Sequence, residues 1–519
     1  MWRWPFPRTT SSRRNGSVTL ITLCLFFVFS SVGLGVLYLS QIHLKLQSFR
    51  KNTLQLDTAA ENGIKLGAAQ LAAQISQKSG IEIISTTEFT ELSQSIQQEK
   101  IDLLERALGI AFPGRASGNA GEQEWNVDTS AVMSHHSDYD DFIQARFQIL
   151  SQAQATLQHF PETKQESLKS SLTIAAGRIP LSLIPILIDQ EAEPGNSHLK
   201  ENHIEVLDIP SASASTGPVF SGGGLIPDEI PSQVREALKL DIFYPEDLSR
   251  SQLRRALGLE IIDEPIPAGV YLIEDDMGLG GVYIEGDCDR LGLAVAGDSQ
   301  VFDFQIGQEE WRLTFNPVQE TTEFVSPQDT RFFELTPLGI IIVNGAVHSL
   351  EAGVIDADGG FLRTIEEIPC ILGEVSLSII ASEQITLTTH LLRQGVSWQD
   401  EIPIIKDTDS QLHIFAAGSD ILGNPTGEGK VIIDTTETPS LKIEASVTAA
   451  ETEIQSAADG GEALLIGSLH TGRHLAHGNT LKLIYDRPPE DSASPFAPRT
   501  AQPVLFLNDF HIMEWSEDL

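Results

Sequence analysis

A chain of 519 residues with 41% hydrophobic residues has the length of several ordinary domains and ample material for a large core. Acidic residues outnumber basic ones 72 to 34, and the net charge of −38 excludes nucleic acid and anionic lipid as partners for the bulk of the chain, since an acidic surface repels both. Three cysteines exclude a disulfide scaffold. Cys24 falls in an apolar run, and Cys288 with Cys370 is the one candidate disulfide, two separate buried thiols being the blander reading.

In chain order, residues 1–16 form a basic leader with Arg3, Arg8, Arg13 and Arg14 and no acid. The run SVTLITLCLFFVFSSVGLGVLYLSQI, from Ser17 to Ile42, carries no charge. At helical rise it spans about 39 Å, more than the roughly 30 Å of hydrocarbon core. It predicts membrane attachment through residues 17–42, and the arginines keep the leader in the cytoplasm by the positive-inside rule. A cleaved secretory signal fits less well, because the run is long and Tyr38-Leu39-Ser40-Gln41 is a poor cleavage site. Leu46, Phe49, Leu56, Ala60, Ile64, Ala68, Leu71 and Ile75 recur near helical spacing with no proline between them. The expectation is one helix over 17–78, half in the bilayer and half amphipathic.

This segment resembles the N-terminal helix of PilX-type minor pilins and pseudopilins. Arg13-Arg14-Asn15-Gly16 ends a basic leader in glycine, the apolar stretch follows at once, and Ala59-Ala60-Glu61-Asn62-Gly63 looks like the small-residue segment of those proteins. The resemblance implies prepilin-type cleavage between Gly16 and Ser17, and pilin or pseudopilin subunits as partners of the helix. The fifth residue after the glycine is Ile21, where polymerising major pilins carry glutamate, which fits a minor subunit.

Residues 79–225 read as a mixed helical and loop region, with a helix expected over DFIQARFQILSQAQATLQ (141–158) and a linker at 210–225 (PSASASTGPVFSGGG). Residues 226–265 read as a helical connector. From 266 to 488 short apolar runs recur between Gly, Asp and Asn, an all-β signal. Gly280–Gly286 (GGVYIEG) and Gly339–Gly345 (GIIIVNG) are near copies, and Ala463–Gly467 (ALLIG) is a weaker echo. The pattern favours a right-handed parallel β-helix over the alternative, a β-sandwich. The order of these runs, closing on Leu481–Pro488 (LKLIYDRP), is similar to that of uncharacterised bacterial surface β-helix proteins with PilX-like N-termini. Residues 489–519 form a tail. The expected fold class is therefore a long N-terminal transmembrane helix, a mixed α/β middle and a C-terminal all-β right-handed parallel β-helix.

Candidate sites are few. His470, His474 and His477 are the best metal candidate, with solvated loop histidines as the duller reading. His135 and His136 with Asp138, Asp140 and Asp141 precede the expected helix, where acids serve as caps. Asp356-Ala357-Asp358-Gly359-Gly360 lacks a calcium loop's downstream glutamate and reads as a turn. Asp275, Asp276, Glu285, Asp287 and Asp289 cluster near one strand, but no nucleophile elbow, phosphate loop, dinucleotide fingerprint or zinc-protease helix is present. No catalytic residue and no cofactor is expected. The reading is a single-pass protein of the inner (cytoplasmic) membrane, its ectodomain periplasmic or extracellular, acting as a minor pilin-like component in adhesion or scaffolding. A membrane-anchored β-helix enzyme acting on polysaccharide is the alternative.

Overall fold

The computed structural model describes residues 112–120, 123–138, 142–156, 163–177, 180–184, 186–188, 204–207, 219–221, 226–230, 248–485 apart from short gaps, 498–501 and 504–516. The candidate cleavage site Gly16–Ser17 and the apolar run lie outside these residues.

Four strands open the described chain: β1 (Phe112–Ala120), β2 (Gln123–Asp138), β3 (Phe142–Thr156) and β4 (Thr163–Gly177). They form an antiparallel sheet that is completed by the last strand, β29 (Val504–Ser516), alongside β4. The helix expected at 141–158 is thus a strand. Its Ala and Gln content favours helix, but Ile143, Ala145, Phe147 and Ile149 also alternate with Gln144, Arg146 and Gln148. Long pairings with β2 and β4 decide between the two periods.

The rest of the fold is a stack of parallel rungs with three faces. On the first face, β9 (Gly278–Glu285) pairs with β15 (Ile340–Asn344), then β19 (Ser376–Ala381), β24 (Gln411–Ala416) and the middle of β26 (Ser440–Gln455). On the second, β10 (Arg290–Ala296) is followed by β16 (Val347–Ile355), β20 (Gln384–Leu387), β25 (Lys430–Asp434) and the end of β26. The third face holds β18 (Pro369–Ile371), β21 (Leu392–Arg393), the start of β26 and β28 (Thr480–Ile484). β27 (Glu462–Leu475) follows β26 round the coil in register. The two near-copy runs lie on adjacent rungs, with Tyr283 beside Ile342 and Glu285 beside Asn344.

The stack does not end where the C-terminal sequence ends. β5 (Ile186–Ile188) lies on β27, β7 (Val219–Ser221) lies on β5, and β6 (Ile204–Val206) lies on β28, all parallel. Segments from before the solenoid therefore build its final rungs, and β7 falls inside the stretch expected to be a linker. Leu181 N–H donates to the Pro498 carbonyl and Pro180 bridges Arg499, so the chain enters and leaves at the same end. It then reaches the opposite end, where β8 (Gly269–Asp275) pairs antiparallel with β9. Between those ends, Ile230, Leu248, Leu253, Leu257 and Ile266 cover the outward side chains Tyr283, Ile342, Ile380 and Phe415 of the first face. Leu253 belongs to α1 (Arg250–Ala256), which starts in a capping box formed by Ser249 and Gln252.

Inward residues such as Val282, Ile341, Ile379, Ile414, Val447 and Leu469 stack along the axis in one continuous core. Full burial of such a side chain contributes about 1.5–3 kcal/mol.

The expected fold class is overturned. Described residues are mostly strand, with one seven-residue α-helix, and no helix among them is long and apolar enough to cross a membrane. The described residues of the middle region are strands with one 3-10 turn at Leu181–Leu183, not a mixed α/β unit. The C-terminal solenoid is not a contiguous 266–488 domain, because earlier residues supply rungs and antiparallel strands interrupt it.

Candidate functional site

The end of the solenoid far from β4 and β29 is closed by an antiparallel meander. β10 turns into β11 (Ser299–Ile306), then β12 (Glu309–Asn316), β13 (Thr321–Val325) and β14 (Thr330–Phe333). Two-residue loops at Gly297-Asp298 and Gly307-Gln308 make the first two turns, each glycine at positive φ (63° and 62°), as tight hairpins require. The underside is apolar: Phe302, Phe304, Trp311, Leu313, Phe315 and Phe324 plug the end of the core. Phe302 stacks on Phe304 and Phe315 at centroid distances of 6.3 and 5.9 Å.

The rim of the meander holds a cleft of about 410 Å³. Phe332, 74% exposed, and Phe333 border it together with Asn316, Gln319, Thr321, Glu323 and Glu334. Asn316 Oδ1 accepts from the Gln319 N–H at 2.8 Å, which fixes the β12–β13 turn. Arg331 is held beside the cleft, its guanidinium 5.3 Å from the Phe324 ring centre and 5.6 Å from that of Phe333.

The opposite, outer face of the meander carries a charged cluster, because Asp303 and Arg312 alternate with the inward Phe302, Phe304, Trp311 and Leu313. Asp303, 1% exposed, accepts from Arg290 at 2.5 Å and Arg312 at 2.7 Å. Glu351 accepts from Arg363 at 3.0 Å and lies 3.8 Å from Arg290. Burial raises the Glu351 carboxyl above the usual carboxylate range, opposed by the Ser349 hydroxyl and the two arginines. β17 (Phe361–Arg363) folds back along β16, and its Phe361 ring lies 5.3 Å from the Arg290 guanidinium. A Cβ at Gly292 or Gly353 would run into that ring, so both positions need glycine to let the hairpin close. Both buried carboxylates are thus held by arginines, an arrangement that fixes the tip.

No family model, curated protein or solved structure matches this chain. The reading of the tip therefore rests on its own geometry.

The three histidines do not converge. His470 shares a hydrogen bond with Thr448 Oγ1 at 3.0 Å and sits 2.7 Å from the Ile184 carbonyl. His474 contacts Thr452 Oγ1 at 2.8 Å, and His477, in a turn at φ 49°, lies 3.2 Å from Glu453. Thr448 lies in the part of β26 paired with β24, and Thr452 in the part paired with β25. The coil corner between them points His470 and His474 along different faces. Among the described residues no three His, Cys, Asp or Glu side chains are grouped to hold a metal.

Cys288 and Cys370 are both free and buried, and burial pushes each thiol up to about 12. The candidate disulfide is therefore absent, and the buried-thiol alternative describes both. His135, His136 and Asp138 fall in β2, not before a helix. Asp356 Oδ1 accepts from the N–H groups of Asp358 and Gly360 at 3.0 and 2.6 Å, closing a turn on itself. Glu285 accepts from Tyr283 and Asn344, Asp287 from the Ala346 N–H and Asp289 from the Gly307 N–H. Those acids brace coil corners.

Sequence reasoning missed the tip. An exposed Phe in a four-residue strand carries no local mark, although the alternation of Phe324 and Phe315 with polar neighbours signals a half-buried sheet.

Proposed function

We propose that the protein is an extracytoplasmic surface protein that presents the capped end of its solenoid to a partner, in adhesion or scaffolding. Membrane attachment through residues 17–42, with residues 1–16 in the cytoplasm, completes this reading. A minor pilin-like role in a type IV pilus or pseudopilus-related system follows from the Gly16–Ser17 junction and the small-residue segment at 59–63.

One observation carries the proposal. The described chain enters and leaves the solenoid at one end, where Gly177 pairs with Val504, while the meander closes the other. Eight first-face rungs from β9 to β7 at a strand spacing of about 4.8 Å set the two ends roughly 34 Å apart. A chain tethered through its N-terminal side would hold the meander outward. The net charge of −38 suits an exposed, self-repelling ectodomain.

N-terminal sequencing of the mature protein tests the attachment and processing together. A start at Ser17 in the membrane fraction is the expected result. Recovery of Met1 would remove the pilin-like reading, and recovery of a soluble chain starting beyond Ile42 would remove the membrane-attached one.

A further inference from the structure

We propose that the cleft at the meander rim binds a neutral carbohydrate, with a sugar ring laid on Phe332. The proposal names the ligand class for the outward-facing tip and rests on that reading only for the tip's orientation.

The cleft volume of about 410 Å³ falls within the range of small-molecule sites, about 300–1,000 Å³. Its lining separates ligand classes. None of its ten residues is Lys, Arg or His. Arg331, next to Phe332 in the chain, is held over the rings of Phe324 and Phe333. Phosphate, sulfate and uronate groups would therefore meet the carboxylates of Glu323 and Glu334 with no counter-charge in the cleft. A purely apolar ligand would strand the side-chain amide of Gln319 and the hydroxyls of Thr314 and Thr321.

A pyranose satisfies both halves. Its hydroxyls pair with amides, hydroxyls and carboxylates, and its C–H face covers an aromatic ring. Phe332 has 74% of its area open, and it is directly opposite Glu323 in the β13–β14 ladder. That pairing sets an apolar platform beside an acceptor of sugar hydroxyls. The charged cluster on the meander's outer face, Asp303 with Arg290 and Arg312, ties β10, β11 and β12 together, so the platform is preformed.

The test is calorimetric titration of the full chain, solubilised in detergent, with maltotriose, cellotriose and tri-N-acetylchitotriose, and with trigalacturonate as the acidic control. Saturable binding of at least one neutral trisaccharide, no binding of trigalacturonate, and at least a tenfold weakening in both Phe332→Ala and Gln319→Ala are expected. Both side chains are exposed, and unchanged melting temperatures would exclude unfolding as the cause. The proposal is overturned if none of the neutral sugars binds, if trigalacturonate binds as well, or if the two substitutions leave affinity unchanged. Release of shorter sugars would overturn it in favour of hydrolysis between Glu323 and Glu334. Because detergent-solubilised chain needs no attachment to bind, failure here leaves the N-terminal processing result standing, and the converse also holds.

Discussion

His470 Nε2 lies 2.7 Å from the carbonyl oxygen of Ile184, across 286 residues of chain, and Thr448 Oγ1 lies 3.0 Å from its other ring nitrogen. The neutral imidazole satisfies both, donating to the carbonyl and accepting from the hydroxyl. Burial pushes this histidine down to about 4, and His413, also buried on the first face, down to about 4. In the unfolded chain both titrate near 6.5. The unfolded state thus binds more protons between these values, so stability is fully present above pH 6.5 and falls as pH drops towards 4. Melting temperature should decline across that window by an amount equivalent to a few kcal/mol. His470→Gln, which keeps an amide donor and removes the titration, should flatten the decline. An unchanged slope would assign the acid sensitivity elsewhere.

Asp303 is the anchor of the tip. Asp303→Ala removes the carboxylate shared by Arg290 and Arg312, leaving two guanidinium groups close together on the meander's outer face. Breaking a buried ion pair from one side costs about 3–5 kcal/mol. The urea midpoint should fall accordingly. Asp303→Asn retains acceptor geometry without charge and should lose less.

Gly467 turns the corner within β27 at φ 142°, and a Cβ there would collide with the Ala445 carbonyl of the rung below. Gly467→Ala should destabilise the fold by about 2 kcal/mol or more, because backbone must move. Gly478→Ala, also at positive φ but with open space around it, should cost closer to 1 kcal/mol. Thermal melts of the two variants side by side read the difference.

The pairing of β4 with β29 can be trapped covalently. Ala175 and Phe506 are register partners in that ladder. Directly opposed antiparallel residues have Cα atoms about 4.5–5.5 Å apart, within the disulfide range. Ala175→Cys with Phe506→Cys, in a Cys24→Ser background, should close a loop that migrates faster on a non-reducing gel. Cys288 and Cys370 should not interfere, since both thiols are buried and held protonated. A band that does not shift on oxidation would refute the shared base of the solenoid.

Some of this fold could be read from local sequence and some could not. Gly280–Gly286 and Gly339–Gly345 resemble each other because their side chains occupy equivalent sites on adjacent rungs, inward for Ile284 and Val343 and outward for Tyr283 and Ile342. The echo at Ala463–Gly467 was less faithful, since that run lies on the third face against Leu441–Ala445. The β3 sequence has the alanine and glutamine propensity of a helix, and only its long pairings with β2 and β4 select its period-2 pattern. The histidine spacing at 470, 474 and 477 suggested convergence, yet a coil corner separates the first two. The placement of β5 on β27 left no trace in either segment, because three apolar residues such as Ile186–Ile188 fit almost any rung.

That placement has a consequence for synthesis. β5, β6 and β7 leave the ribosome long before the rungs they complete. At about 5–20 residues per second, the 286 residues between Ile184 and His470 take roughly 15–60 s to make. During that interval the N-terminal rungs have open edges and no template. The solenoid therefore closes backwards, its newest coil capturing its oldest segment, and a nascent chain halted before Glu462 would lack the surface on which its own beginning settles.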